Sequence, residues 1–473
     1  MIRVFRHYIP VSLVTLGFVE LLILCVAMYI AVLMRFWGLS ADEIKTLGML
    51  QTVGPVYPIY PKALTFTIVM AIVMVAMGLY RRNFPREAWQ YARVMASFIL
   101  GFPLVTIVFY LIPSLFLGRG VFALTFMIAF SGIMVARFMF NQFTGHKGMK
   151  KRVLVLGAGT RAAKVHALEQ DGHGRHGFQV IGYLPLKGGH HFVDKNKIIS
   201  EPGSIYSIVE KYQIDEIVVG VRDRRDGGLP VDQVLQCKVR GISVIDLSSF
   251  FERETGHVQL QSLNPSWIIF SDGFVQGSLR DVTKRLFDVC ASCLLLFLTL
   301  PLMLVTAIAI PLESRGPVFY RQERVGQGDK NFQVLKFRSM RTDAEKDGRP
   351  QWAGKNDSRV TRIGAIIRKL RVDELPQILN VLKGEMSFVG PRPERPFFVE
   401  QLGQQIPYYI YRHNVKPGIT GWAQICYPYG ASVEDSIEKL QYDLYYVKNH
   451  SLFLDLIILF QTIQVILFGQ GAR

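Results

Sequence analysis

Long apolar runs fill the first third of the chain, at Val11 to Arg35, Ala63 to Tyr80, Val94 to Gly118 and Val121 to Phe140. Each has about the length, roughly 20 residues, that the hydrocarbon core of a bilayer demands of a helix. A four-helix transmembrane domain is therefore predicted over 1–146. The first run is too long for a signal peptide and has no small-residue cleavage site before the next polar loop, so it is expected to stay in the mature protein. Beyond Lys151 the texture shortens. "RVLVLGAGTRAAKV" reads as a buried strand, a glycine turn and a helix start, and "DEIVVGV" and "GISVIDL" add further βα units. An α/β Rossmann-like domain is expected over 147–250, a linker over 251–278, and a last domain, of α/β type, over 279–473.

A fifth apolar run, Val289 to Pro311, is long enough to span but is interrupted by Pro301, and Lys284, Arg285 and Asp288 load its entry. Spanning would carry the basic segment "RQERVGQGDKNFQVLKFRSMRTDAEKDGR" across the membrane, which the positive-inside rule disfavours. A proline-broken helix over about 284–311 that enters and returns on one face satisfies both facts, with an ordinary fifth span as the alternative. The final run, "SLFLDLIILFQTIQVILFG", carries Asp455, Gln461 and Gln464 and suits an interfacial helix better than a span, with a packed core helix as the alternative.

Charge sets the orientation. Arg3 and Arg6 precede the first run, Arg81, Arg82, Arg86 and Arg93 separate the second from the third, and Arg137, Lys147, Lys150, Lys151 and Arg152 follow the fourth, while the loop from Trp37 to Lys62 is charge-poor. Those basic segments are expected to face the cytoplasm. The formal net charge of +17 then reflects topology and attraction to anionic headgroups, not nucleic-acid binding.

Most other candidate chemistry is weak. Five scattered cysteines make no disulfide framework, and Cys290 and Cys293 share a C-x-x-C spacing only inside an apolar run. Gly157, Gly159 and Ala162 match G-x-G-x-x-A, yet the strand "FQVIGYLPLK" lacks the acid that would bind a ribose, so a structural or nucleotide-sensing domain is favoured over NAD binding. His173, His176, His190 and His191, with Asp171 and Asp194 nearby, read as solvated loop residues ahead of a metal site.

The strong candidate is "KLRVDELPQILNVLKGEMSFVGPRP". Pro376 predicts a helix starting near Leu375 and stopping at Gly384, with Asp373 and Glu374 at its N-terminus, where the helix dipole favours ionised carboxylates. Adjacent residues on a helix point about 100° apart, which suits one nucleophile and one metal ligand better than a proton-sharing pair. Lys336, Arg338, Arg362, Arg368, Arg371, Arg392 and Arg395 supply cations suited to phosphate oxygens. An acidic helix cap amid basic surface is the plainer alternative.

The ordered set "KRLFD", "GPVFYRQERVG", "FQVLKFRSM", "LRVDELPQILNVLKGEMSFVGPRP" and "VKPGITGWAQI" resembles the bacterial sugar transferase family of monotopic phosphoglycosyl transferases, from about Leu279 to Arg473. Four helices and a Rossmann-like domain ahead of it resemble the long polyprenyl-phosphate hexose-1-phosphate transferases that prime exopolysaccharide assembly. The resemblance implies a re-entrant helix broken at Pro301, although Leu300 stands where the family often has serine, and interfacial amphipathic helices. It implies that Asp373 attacks the β-phosphate of a UDP-sugar, releasing UMP, and that polyprenyl (undecaprenyl) phosphate then takes the sugar phosphate from the aspartyl intermediate. Glu374 would hold Mg²⁺, Lys336, Arg338, Arg368, Arg371 and Arg392 would bind phosphate, and Lys284 and Arg285 would lie at the lipid headgroups. Glucose or galactose, the bacterial inner membrane with the catalytic domain on its cytoplasmic face, and a homodimer complete these expectations.

The rival reading is a membrane-anchored NAD-dependent nucleotide-sugar dehydratase or epimerase. It needs a helical Tyr-x-x-x-Lys, and the one such spacing, Tyr183 to Lys187, contains Pro185 and follows a strand. A non-enzymatic scaffold is a third reading, and neither accounts for the carboxy-terminal motifs.

Overall fold

The structure is a computed structural model. It describes residues 2–4, 7–37, 39, 58–80, 87–116, 118–144, 150–171, 177–186, 192–201, 203–221, 229–263, 277–342, 359–428, 430 and 432–467. The chain divides into two compact units, 8–245 with 1–3, and 246–473 with 4–7.

The first unit opens with four apolar helices: α1 (Val11–Arg35), α2 (Tyr60–Ala76), α3 (Glu87–Leu111) and α4 (Arg119–Thr144). α1 packs on α2 and α4, and α3 packs on α2 and α4. Met28, Phe66, Met70, Val94 and Ile133 fill the space between them, and Phe66 and Phe98 meet Phe126 edge to face at 5.2 and 6.0 Å. Outward, Phe18, Leu22, Leu33, Ile99 and Val135 are exposed, as expected where lipid is the solvent. One polar cluster sits inside. Glu20 lies 2.6 Å from Arg137 Nε and accepts from Arg137 Nη2 at 3.0 Å and from the Tyr80 hydroxyl at 2.6 Å. Of the basic residues that set the expected orientation, Arg137 lies inside α4 rather than after it, where Glu20 claims its charge, and Arg6, Arg81, Arg82, Arg86 and Lys147 lie outside the described residues.

The α/β part follows as β1 (Lys151–Leu156), α5 (Thr160–Asp171), β2 (Phe178–Leu184), α6 (Ile205–Lys211), β3 (Glu216–Val219), α7 (Val231–Val239) and β4 (Ser243–Asp246). The sheet order is β2-β1-β3-β4, with β1 parallel to both neighbours. Val153 to Leu156 are fully buried, so the run is uniformly apolar rather than alternating. Gly157 leaves β1 at φ +110°, where a side chain would be strained. Tyr183 lies within β2 and is buried. The Tyr-x-x-x-Lys of the dehydratase reading is therefore not helical at its tyrosine, and Lys187, His173, His176, His190 and His191 lie outside the described residues. No cluster of three or more metal-ligating side chains occurs among the described residues.

The second unit begins with α8 (Leu247–Thr255), capped by Asp246. Glu252 of α8 pairs with Lys448 at 2.7 Å and accepts from Asn449 at 2.7 Å. The start of the expected linker is thus folded into this unit. α9 (Ser278–Glu313) is one helix of 36 residues with Pro301 and Pro311 inside it. The break expected at Pro301 is not an interruption of the helix, because a proline deletes one backbone bond and bends a helix without ending it. Both ends of α9 pack on this unit. Arg285 donates to the carbonyls of Val381 and Leu382, and Glu313 accepts from the N–H groups of Arg362 and Ile363 at 2.7 and 2.9 Å.

There follow an antiparallel hairpin, β5 (Phe319–Val325) and β6 (Asn331–Phe337), then α10 (Arg362–Lys369), α11 (Gln377–Lys383), β7 (Ser387–Val389), α12 (Pro396–Gln405), β8 (Gly418–Thr420), α13 (Trp422–Cys426), α14 (Val433–Asn449) and α15 (Leu452–Leu467). β7 pairs only with β8, in parallel, so the described residues of this unit hold two two-stranded sheets and are mainly helical. α15 buries Leu454, Asp455, Ile458 and Gln464 in the core beside Tyr446, which makes it a packed helix on that face rather than a purely interfacial one. Its aspartate tolerates burial because Lys284 and the Tyr446 hydroxyl both reach it, at 2.6 and 2.7 Å.

Candidate active site

Asp373 and Glu374 occupy a single 3₁₀ turn, Val372–Glu374, between α10 and α11. The helix begins at Gln377 with Pro376 as its cap, two residues later than expected, and ends at Gly384 in the left-handed conformation. The delay has a local cause. Arg371 adopts φ 58°, ψ 18°, which reverses the chain after α10 and starts the tighter turn. Val372 and Leu375, either side of the acids, are anchored in the apolar cluster of Met303, Ile310, Phe337 and Ile367.

Asn380 locks this segment to the hairpin. Its Oδ1 accepts from Leu335 N–H at 3.0 Å, and its Nδ2 donates to the Gln333 carbonyl and to Glu385, each at 2.7 Å. That clamp brings the next residue of β6, Lys336, onto the acid turn. Lys336 Nζ donates to Glu374 Oε1 at 2.9 Å, and Arg392, from the loop after β7, donates to the same oxygen at 3.2 Å. Arg371 stands 3.6 Å from Oε2. Asp373 has no hydrogen-bond or ion-pair partner among the described residues, yet both carboxylates are only 9% exposed.

The two acids therefore differ. Burial and the adjacent Glu374 charge push the Asp373 carboxyl up, while Lys336, Arg368 and Arg371 pull against them. Burial would also raise Glu374, but Lys336, Arg392 and Arg371 together hold its carboxyl well below the usual range. Burial lowers Lys336 in spite of its carboxylate partner. The carboxylate decides the state of the pair, since it faces three cations. One acid is clamped and ionised, and the other is buried, unpaired and harder to ionise.

Three expected ligand residues are elsewhere. Arg338 donates from Nη1 and Nη2 to the carbonyls of Arg315 and Ser314, closing the end of α9. Lys284 is held by Asp455, the Tyr446 hydroxyl and the Val389 carbonyl, and Arg285 closes the end of α11, so both are engaged inside the unit. The reason is common to the two arginines: the last carbonyls of a helix lack intrahelical donors and draw nearby cations. Arg362 contributes its backbone N–H to Glu313. The sequence reading missed Gln424, whose Oε1 accepts from Arg392 at 3.3 Å, and the buried pair Arg412–Asp443 behind that arginine.

Two buried acids, cations around them and an adjoining apolar helix are the chemical makings of an anion site. Residues 279–469 match the bacterial sugar transferase family. A protein of Haemophilus influenzae named an uncharacterized sugar transferase is 31% identical over 430 residues, 83% of this chain and 84% of that relative. The chain belongs to the bacterial sugar transferase family. It is also 41% identical over 291 residues, 62% of its length, to the UDP-N-acetylgalactosamine-undecaprenyl-phosphate N-acetylgalactosaminephosphotransferase of Aeromonas hydrophila, covering 66% of that protein. With the UDP-glucose:undecaprenyl-phosphate glucose-1-phosphate transferase of Klebsiella pneumoniae it shares 46% identity over 191 residues, 40% of each chain. The matches to these last two cover less than two thirds of either relative's length.

Proposed function

We propose that this protein transfers a sugar 1-phosphate from a UDP-sugar to polyprenyl phosphate, through a covalent intermediate on Asp373. The observation that carries the reading is the asymmetry of the acid pair. A carboxylate held by three cations is a poor nucleophile and a good anchor, whereas an unpaired, desolvated one is reactive once ionised. In the first half-reaction an Asp373 oxygen bonds to the sugar-bearing phosphorus, the bond from that phosphorus to the bridging oxygen breaks, and UMP leaves with the bridging oxygen. In the second, an oxygen of polyprenyl phosphate attacks the same phosphorus and frees Asp373. Lys336, Arg368, Arg371 and Arg392 bind and orient the diphosphate.

The residues present fit Mg²⁺. Among the described residues Glu374 Oε2 faces only Arg371, beyond hydrogen-bond range, and Mg²⁺ is commonly held by one or two carboxylates with substrate phosphates and water. Glu374 would hold the ion, whose chemistry there is neutralisation of diphosphate charge.

The topology reading is that α9 enters the membrane and returns. Support comes from its two ends, Arg285 and Glu313, which contact the same unit, and from exposed Phe297, Leu298, Leu304, Val305 and Ile308 between them. Exposed Ile366 of α10 and Leu370 at its C-terminal cap suit contact with the interface. With the positive-inside count, this supports a catalytic unit on the cytoplasmic face of the inner membrane. The β2-β1-β3-β4 order and the Gly157 turn support a Rossmann-like reading of the α/β part.

The test is incubation of purified protein with polyprenyl phosphate, Mg²⁺ and a panel of UDP-sugars that includes glucose, galactose and N-acetylgalactosamine. UDP-sugar alone should release UMP stoichiometric with enzyme and label the peptide containing Asp373 under acid quench. UMP release that waits for lipid, with no labelled peptide, would mean direct attack by the lipid phosphate.

A further inference from the structure

The loop that carries Arg392 is an unusual piece of backbone. Residues 390–395 read Gly-Pro-Arg-Pro-Glu-Arg, so two of the six have no N–H, and its carbonyls must find donors elsewhere. They find them in distant elements. The Val389 carbonyl accepts from Lys284 and from the Tyr446 hydroxyl, Pro391 from Gly418 N–H, Pro393 from Arg324, and Glu394 from Val325 N–H. The Arg392 carbonyl accepts from Arg412 Nη2 at 3.0 Å.

Arg412 is itself fixed on all sides. It is 6% exposed, its Nε and Nη2 donate to Asp443 Oδ2 at 3.1 and 2.7 Å, and its Nη1 donates to the Tyr409 hydroxyl at 2.8 Å. Asp443 is 2% exposed and rides on the buried face of α14 between Leu440, Leu444 and Val447. A buried ion pair contributes little net stability relative to well-packed apolar side chains, so stability alone is a weak account of these two charges. A guanidinium, however, is a rigid fork that can bind a carboxylate with one edge while directing a donor elsewhere, which an ammonium or an apolar side chain cannot do.

We infer that Arg412, held by Asp443, is a positioning residue: it fixes the backbone of Arg392 so that the Arg392 guanidinium meets Glu374 and the ligand phosphate. The assignment rests on the phosphoglycosyl-transfer reading for its kinetic consequence, but not for its geometry. Arg412 touches neither acid of the turn in the contacts above. Its effect is transmitted through one carbonyl and one side chain.

Arg412→Lys keeps the charge and loses the fork. Released from its anchor, Arg392 should shift, and a displacement on the order of 1 Å near reacting groups costs up to about 100-fold in rate. The expected result is a fall in kcat of about 10-fold to 100-fold in UMP release, with a smaller change in KM. In an Arg392→Met background the same Arg412→Lys change should have almost no further effect on kcat, while its effect on Tm should be the same in both backgrounds. Equal kcat losses in the two backgrounds would overturn the assignment and make the pair purely structural. If Arg412→Lys does not fold, Asp443→Asn, which keeps shape and one acceptor, carries the same cycle. A cryo-EM structure of the variant separates this inference from the functional reading: Arg392 should have left Glu374, against 3.2 Å here. An unmoved Arg392 sinks the inference whatever the substrate is, whereas absence of UMP release by the wild-type protein sinks only the functional reading.

Discussion

Two buried clusters of acid and base can be set side by side. In the N-terminal bundle Glu20 meets Arg137 edge to edge, Tyr80 completes the carboxylate's hydrogen bonds, and Arg137 Nη1 reaches the Leu79 carbonyl at 3.3 Å. One negative charge faces one positive charge. In the acid turn, two carboxylates share a cage with Lys336, Arg368, Arg371 and Arg392, and one carboxylate takes the direct contacts. The first arrangement pairs its charges one to one inside the bundle. In the second, one acid has no partner among the described residues, and an incoming polyanion would meet the cations that hold the other. Burial of charge marks both places, but only the mismatch points to chemistry.

That contrast can be broken at either end. Asp373→Asn should reduce UMP release by on the order of 10³-fold or more while leaving Tm within a few degrees, because the amide is isosteric and cannot form the acyl phosphate. Near-wild-type turnover in that variant would remove the nucleophile assignment. Glu20→Gln should act the other way: it leaves Arg137 buried without its counter-charge and should destabilise the bundle by about 3–5 kcal/mol, measurable by thermal unfolding in nanodiscs, with the specific activity of the folded fraction unchanged. Glu20→Met combined with Arg137→Met should recover most of that loss. If specific activity drops in Glu20→Gln, the closed cluster is not merely structural.

A smaller effect should appear in the pH profile. In the proposed mechanism Asp373 attacks as the carboxylate, and burial with Glu374 raises its pKa, so the rate should fall as pH drops through a value above the ordinary aspartate range. Arg368→Met removes a cation that favours ionisation and should move that acid limb further up, whereas a limb that stays put would place Arg368 too far away to matter. The smallest effect is topological. Lys330→Cys, on the exposed hairpin turn, should keep wild-type activity and be labelled only from the cytoplasmic side. Labelling from outside would restore α9 as a full span.

What could be read from the sequence follows the range of the interactions. The four apolar helices, the βα texture and the stop at Gly384 depend on neighbours a few residues away, and each is present, although the second and third helices begin and end several residues ahead of the runs read for them. The acid pair was legible as a motif and unlike roles were expected of its members, but the contacts that make them unequal were not, since these come from Lys336, 37 and 38 residues before the two acids, and Arg392, 18 residues after Glu374. The internal contacts of Arg338, Lys284 and Arg285 were hidden for a related reason. A basic residue near a phosphate motif looks like a ligand until the orphan carbonyls at the ends of α9 and α11, or a partner such as Asp455, come into view. Asp443 did leave a trace, a charge on the apolar stripe Leu440, Leu444, Val447 of an amphipathic helix, which requires a cationic partner from elsewhere in the fold.

Arg371 is the residue at which durability and turnover would select differently. Its left-handed backbone is one that glycine adopts without the roughly 1–2 kcal/mol penalty an arginine incurs there. A library at this position screened for heat resistance should therefore enrich glycine, and the same library screened for sugar-phosphate transfer should return arginine, because glycine would shape the turn as well while stripping a cation from beside Glu374. The conformation that launches the acid turn would then be kept under tension by the side chain that the proposed chemistry uses.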